Sequence, residues 1–465
     1  YGRQARLGCS RWIRRRHIAV MSLTASVGLM AVFIVDFVDM IFISMLGKSE
    51  LAAAVGYAGA ILFFTSSFGI GMAIAAGALA ARALGAGDVE EARRKATNSL
   101  IYGVIFGALF AALVWFNLRA LAALMGATGD TLALAVHYLA IIIPSLPFLL
   151  VGMVGGAILR AHGDAKRAMM ATVWGGIINA ILDPILIFGL NLDLTGAAIA
   201  SVVARVAMGV AAVLPIIKYY NGFERPTRAT LHLDLRPIAA IAVPAILNQL
   251  ATPIGQAYVT RAMSEFGEAA VAGMAIAARI TPVAFGVIFA LSGAIGPIIG
   301  QNFGAGQQDR VRGAFRDGMI FTAVVVVVVS ALLFLLRPAL VSLFALEEGV
   351  TLTIVFLFAG PLSLLFFFNG VIFVANAAFN NLGHPYYSTF INWARNTLGI
   401  VPFVLLGAGW FGAPGVLIGQ YVGGAAFALI AWVLAIRVMN SPQSGQPSTP
   451  FQREGRLMQL LHARR

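Results

Sequence analysis

Two stretches of this chain, Ala323–Leu336 and Ile354–Val374, contain no ionisable residue. That feature constrains the fold more than any motif does. A helix of about 20 predominantly apolar residues crosses the ~30 Å hydrocarbon core of a bilayer. Comparable runs recur along the chain and predict twelve spans, at 18–45, 52–82, 97–118, 132–158, 168–190, 196–218, 237–263, 270–302, 317–337, 350–380, 386–409 and 411–436. The runs are rich in Ala and Leu and lack the period-2 alternation over about ten residues that a membrane β-barrel shows. Of the 465 residues 60% are hydrophobic and only 11% charged, against roughly 25% charged in soluble domains. A soluble chain of this make-up could not cover its surface. The expected fold is an all-α integral membrane protein of twelve transmembrane helices.

The formal charge of +13 would suit a nucleic-acid binder, but its distribution does not. The cations cluster at the termini and in alternate loops. Arg3, Arg6, Arg11, Arg14, Arg15 and Arg16 precede span one; Arg82, Arg93, Arg94 and Lys95 surround the loop after span two. Arg160, Lys166 and Arg167 follow span four, Lys218, Arg225, Arg228 and Arg236 follow span six, and Arg310, Arg312 and Arg316 follow span eight. Arg437, Arg453, Arg456, Arg464 and Arg465 close the chain, and the loop after span ten has only His384. The opposite side holds Lys48, Arg119, Arg261 and Arg337. Positive-inside bias then predicts both termini in the cytoplasm, in a multi-pass protein of the bacterial inner membrane. Cys9 is the single cysteine, so no intramolecular disulfide forms. No GxxxxGK[ST] phosphate loop occurs, so the expectation is a non-enzyme driven by a gradient or by a partner ATPase.

The halves of the chain resemble each other at an offset of about 220 residues. Leu84-Gly85-Ala86-Gly87 ends span two and Phe303-Gly304-Ala305-Gly306 ends span eight; Leu159–Gly163 follows span four and Phe379–Gly383 follows span ten. Gly47 and Gly267 sit between the first two spans of their halves, and glycine just past a helix end permits a left-handed cap. Six spans per half make the repeats parallel, related by an axis along the membrane normal. The expected organisation is a basic segment 1–17, a six-helix lobe 18–219, a cytoplasmic linker 220–236, a second six-helix lobe 237–439 and a basic tail 440–465.

Acids within a span cost at least ~2.5 kcal/mol each at the centre of a lone helix, so they need a reason. Asp36 and Asp39 share a face of span one at i,i+3 spacing, and Asn179 and Asp183 share a face of span five at i,i+4. Pro184 offers no amide hydrogen to the Ala180 carbonyl. Carboxylates, an amide oxygen and loose carbonyls at lipid depth suit a small hard cation such as Na⁺, or a proton. The second half has Gln256 and Val259 where Asp36 and Asp39 stand in the first, so the ion site is expected in the first lobe. Gln256, Tyr258, Asn248, Arg279 and Asn376 are the polar candidates for lining a substrate cavity, while His137 reads as an ordinary helix residue. Arg205, Arg279 and Arg395 also lie within spans.

At these residues the chain resembles the MATE (multidrug and toxic compound extrusion) family, in its DinF-like branch. The likeness is carried by Gly296–Gly306, by Leu159–Asp164 with Asn179, Asp183-Pro184 and Gly189, and by Val38–Phe42 with Leu46-Gly47 and Leu51–Ala53. It covers roughly residues 18–436. The resemblance implies two six-helix lobes around a central cavity and drug export by alternating access. It implies Asp39 as the exchanging carboxylate, Asn179 and Asp183 as its partners, and Ser201 with the Ala197 carbonyl completing a sodium-sized cage. Thr24 stands where the family often has a proline, and Asp36 where relatives commonly carry an uncharged polar residue.

The expected function is secondary active antiport: export of small-molecule drugs and amphipathic organic cations in exchange for H⁺ or Na⁺. No cofactor besides that ion and no nucleic-acid partner is expected, and nothing in the sequence demands more than a monomer in its bilayer. The alternative is a lipid or lipid-linked oligosaccharide flippase of the same superfamily. A flippase would need Arg205, Arg279 and Arg395 to point inward at a phosphate headgroup.

Overall fold

The computed structural model describes residues 18–30, 42, 49–124, 127–344, 346 and 348–441, and among them no strand occurs. Six crossings make the first half: α1 (Ile18–Met30), α2 (Ser49–Gly85), α3 (Val89–Phe116), the pair α5 (Gly129–Ile142) and α6 (Leu146–Ala161), α7 (Ala165–Pro184) and α8 (Asp193–Tyr220), with a short α4 (Leu118–Leu124) after α3. The second half repeats them: α9 (Arg228–Ser264), the pair α10 (Glu268–Ala284) and α11 (Gly286–Gly304), α12 (Gln308–Leu335), a short α13 (Arg337–Phe344), the pair α14 (Val350–Leu357) and α15 (Ser363–Asn381), the pair α16 (Pro385–Ala394) and α17 (Val401–Phe411), and α18 (Ala413–Asn440). Ten helical stretches among the described residues are long and apolar enough to cross a bilayer; the shorter Ile18–Met30 stands at the first position and the pair α16–α17 at the eleventh, while the apolar Ala269–Ala284 belongs to the same crossing as Gly286–Gly304. The twelve spans and two lobes expected from sequence are therefore present.

Proline explains the broken spans. It offers no amide hydrogen and its ring crowds the preceding turn. Pro144 lies in the tight turn joining α5 to α6, and Pro361 in the wide turn Phe358–Leu362 joining α14 to α15. Arg337 bonds carbonyls exposed by that second break, donating to Phe356 O at 2.5 Å and Ala359 O at 3.2 Å. A further wide turn, Ile185–Gly189, follows Pro184 at the end of α7.

The helices run further at the basic end than hydropathy indicates. α3 begins at Val89 rather than 97, α12 at Gln308 rather than 317, and α9 at Arg228 rather than 237. Side-chain capping is the reason for α3 and α9; α12 starts without a side-chain cap. Asp88 Oδ1 accepts the Glu91 amide at 2.8 Å, and Thr227 and Thr230 form a reciprocal capping box. Residues 228–236, expected to be linker, are thus the first turns of α9, and Pro237 lies inside it. This extension is anchored on α3. Buried Asp234 accepts from Lys95 Nζ at 2.6 Å, Asn98 Nδ2 at 2.7 Å and Arg94 Nε at 3.2 Å, while Tyr102 OH donates to Leu231 O at 2.7 Å.

The repeat shows in the packing. Ile18 and Met21 of α1 are buried in the core of the second lobe with Leu291, Val311 and Val374. Ile238 and Ile241 of α9 are buried in the core of the first lobe with Ala96 and Leu159. Ile18 and Ile238 are 220 positions apart, and so are Met21 and Ile241. The first helix of each lobe therefore starts inside the other. Gly87 and Gly306, the matched loop glycines, both take the left-handed conformation, at φ 80° and 69°.

The loop between α6 and α7 carries its own charge cluster. Asp164 caps α7 by accepting the Arg167 amide at 3.1 Å; it also pairs with the Arg167 guanidinium and accepts from Tyr220 OH at 2.7 Å. Burial pushes the Asp164 carboxyl up, but the bonds from Arg167 and Tyr220 outweigh it and hold the group below the usual carboxylate range. A depressed carboxyl contributes stability that is present above its unfolded pKa of about 3.9 and lost as pH falls through the folded value. Asp164→Ala should cost about 1 kcal/mol of stability at neutral pH. The difference between the thermal transitions of the two proteins in detergent should shrink as the pH is taken below 4; a difference independent of pH would contradict the assignment.

Candidate functional site

Asn179 and Asp183 lie one turn apart on α7. Both are buried, Asp183 completely, and Asn179 Nδ2 donates to Asp183 Oδ2 at 3.0 Å. At ~1.5 Å per residue they sit roughly 21 and 27 Å along the axis from Ala165, within the half of the span farther from the basic end. The i,i+4 spacing read from sequence thus produces a bonded carboxamide–carboxylate pair at depth. An ionised carboxylate there can take up a proton or coordinate a hard cation.

α8 runs back along α7. A Cβ on Gly175 would lie 3.3 Å from Ala204 O, and one on Gly196 2.7 Å from the Leu186 carbonyl carbon. This close antiparallel register brings Ala197, buried, and Ser201, half-buried, level with residues 181–185. Asp36 and Asp39 lie outside the described residues. A cavity of about 560 Å³ opens one turn further from the basic end, lined by Leu51, His137, Asp193 and Thr195 among others. His137 Nε2 is 2.8 Å from Thr195 Oγ1 across it, so His137 lines a polar vestibule.

The polar residues proposed for a substrate cavity do not form one set. Gln256 accepts from Gln420 Nε2 at 3.0 Å within its own lobe, while Tyr258, two residues on, packs with the core around Val259 and Phe285. Positions two apart point about 200° apart on a helix, which separates them. Asn248 and Asn376 are buried, and their Oδ1 atoms accept no hydrogen bond from another described residue. The Arg279 side chain lies outside the described part of α10. Arg205 donates from Nη1 to Ser145 Oγ at 3.0 Å and Ile142 O at 3.3 Å, tying α8 to the α5–α6 break. Its guanidinium is occupied by its own lobe.

Two arginines read from sequence as loop charges reach the seam between lobes. Arg160, in the last turn of α6, places Nε 3.8 Å from where a Cβ on Gly293 of α11 would sit. Its side chain makes no hydrogen bond or ion pair with another described residue. Arg82 of α2 donates to the end of α15. The signal that could have marked Arg82 is its place in the repeat, 219 positions before Gln301 of the Gly296–Gly306 stretch.

The MatE family model matches residues 25–185 and again 244–405, one segment in each lobe. The chain belongs to the MATE family. Its two matched segments begin 219 positions apart, within one residue of the offset seen in the packing. Over 434 residues it is 30% identical to the FAD transporter of Shewanella oneidensis, covering 90% of this chain and 93% of that protein. It is 24% identical over 419 residues to the multidrug export protein MepA of Staphylococcus aureus, covering 89% and 91%. In structure it is similar to a mutant of the Vibrio cholerae MATE transporter VcmN, with a TM-score of 0.88, 25% identity and coverage of 94% and 99%. A MATE transporter solved in an outward-facing conformation shares the fold at a TM-score of 0.84 and 24% identity. This MATE protein is thus a multi-pass membrane transporter of small molecules and not an enzyme.

Proposed function

We propose that this transporter is a secondary active antiporter that exports amphipathic, cationic organic compounds in exchange for H⁺ or Na⁺. The observation that carries the reading is the buried Asn179–Asp183 pair. A carboxylate at that depth is costly, and exchange between a bound ion and an empty state gives it a purpose. Asp39 of span one joins the pair, and Ser201 and the Ala197 carbonyl complete a cage for Na⁺ when that is the ion. Both termini face the cytoplasm of the inner membrane, so the vestibule of His137 and Asp193 gives the ion its entry from outside. The ionised site favours a cationic cargo; loading the ion neutralises it and favours release. One chain suffices as a monomer, since each lobe is completed by a helix of the other.

The first test is ethidium movement in proteoliposomes under an imposed pH gradient and then an imposed sodium gradient. Transport accelerated by one of them is expected and names the ion. Folded protein that responds to neither would overturn the reading.

A second reading concerns the cargo. Arg160 stands in the seam with no partner among the described residues, and the Shewanella relative is named for an anionic dinucleotide. If this chain carries such a cargo, Arg160 pairs with its phosphate. Arg160→Gln should then slow flavin adenine dinucleotide flux about tenfold and spare ethidium flux. Equal flux of the dinucleotide in both proteins would dismiss it.

A further inference from the structure

At the basic end the lobes are joined by two sets of hydrogen bonds that are images of one another. Arg82, in the last turn of α2, donates from Nε to the Asn381 carbonyl at 2.6 Å and from Nη2 to the Asn380 carbonyl at 2.7 Å. Gln301 on α11 donates from Nε2 to the Ala161 carbonyl at 2.6 Å. Gln301 lies 219 positions after Arg82, and Asn381 lies 220 after Ala161. Each donor reaches from one lobe to the final carbonyls of a helix in the other. Those carbonyls end α15 and α6, where no further helical amide follows to bond them.

Beside these bonds the backbones nearly touch. A Cβ on Gly85 would lie 1.9 Å from the Gln301 carbonyl oxygen, and one on Gly304 2.0 Å from the Arg82 carbonyl oxygen. These two glycines are again 219 apart. The same geometry demands both: only glycine lets α2 and α11 cross at this distance. Ala81 and Ala161 at the seam are completely buried.

We propose that Arg82 and Gln301 are the gate of the transport cycle at the cytoplasmic end, and that Arg82 sets the fraction of molecules closed there. This rests on the alternating-access reading above. The seam suits repeated opening. Its donors are side chains and its acceptors are helix-end carbonyls, and water satisfies both when the lobes part, so opening strands no buried polar group. The two half-latches are unequal. Arg82 brings a charge and two bonds to the negative end of α15, whereas Gln301 brings one neutral bond.

The experiment is a pulsed-EPR distance measurement on the full chain in nanodiscs, without cargo or gradient. Spin labels go on Glu90→Cys and Asp309→Cys, exposed positions flanking the seam, in a background with Cys9 replaced. The parent should show mainly the short distance. Arg82→Ala should raise the long-distance population relative to the short one about tenfold, and Gln301→Ala should raise it less. Arg82→Gln, which makes the half-latches alike, should fall between the parent and Arg82→Ala. It also serves as the decisive variant if Arg82→Ala does not fold. Distributions identical to the parent in Arg82→Gln and Gln301→Ala would overturn the gate. A shifted distribution in a protein that no gradient drives would leave the gate standing and remove the antiport reading; gradient-driven export with unmoved distributions would do the reverse.

Discussion

Asp183→Asn should leave the protein folded and as stable as the parent or more so, while reducing gradient-driven export on the order of 10- to 100-fold. The two effects share one cause. Asp183 is completely buried and lies well inside the span, with Asn179 donating to it at 3.0 Å. Its charge disfavours the folded state by a few kcal/mol at such depth, so the neutral isostere relieves that cost and keeps the shape. The same amide cannot release a proton and is a weaker ligand for Na⁺, so the coupling step is lost. Stability preserved with function lost marks a residue kept for its chemistry. A merely structural aspartate would behave in the opposite way, with lower stability and export reduced only in proportion to folded protein. Thermal unfolding in detergent and export in proteoliposomes, measured on one preparation, separate the two.

Asp234→Ala should be the most destabilising single change at the basic end. Asp234 is fully buried and accepts from Lys95, Arg94 and Asn98 of α3. Lys95 is itself nearly buried, with 9% of its side chain exposed. Removing the acid leaves that cation without its closest partner, a loss of about 3–5 kcal/mol for a buried pair. It also frees the first turns of α9, which the cluster docks onto the first lobe. Replacing both partners, as Asp234→Leu with Lys95→Met, should recover much of the loss. The quantity to compare is the midpoint of thermal unfolding for the single and double variants; a single variant as stable as the parent would show that the cluster holds nothing.

The lobes were legible in sequence because apolar runs, loop arginines and the offset of about 220 residues act over long stretches. The helix ends were not, because a polar helical extension such as Arg228–Arg236 has the composition of a loop; only its cap, Thr227, distinguishes it, as Asp88 does for α3. The wide turns were partly legible, since Pro184 and Pro361 lie in or beside them, but hydropathy does not register a break in an apolar helix. Asn179 and Asp183 were legible because an i,i+4 pair shares a helical face whatever surrounds it. Gln256 and Tyr258 lie on different faces of α9, a separation their spacing of two already sets. Arg82 and Arg160 were hidden by the positive-inside pattern, which accounts for a cation at a helix end without saying what its guanidinium reaches. Gly85 and Gly304 were visible as repeat landmarks, but their spacing alone does not separate their role from that of Gly87 and Gly306. Gly87 and Gly306 take the caps, and Gly85 and Gly304 serve the crossing of two helices.

The most direct measurement of coupling is ion movement caused by cargo alone. Proteoliposomes start with no ion gradient and an imposed ethidium gradient, and internal pH and sodium are followed with fluorescent indicators. Antiport is reciprocal, so cargo moving one way must drive its ion the other way. The expected result is counterflow of H⁺ or of Na⁺ with the parent protein and none with Asp183→Asn. Ethidium crossing with neither ion moving, or equal counterflow in the variant, would contradict exchange at the Asn179–Asp183 pair.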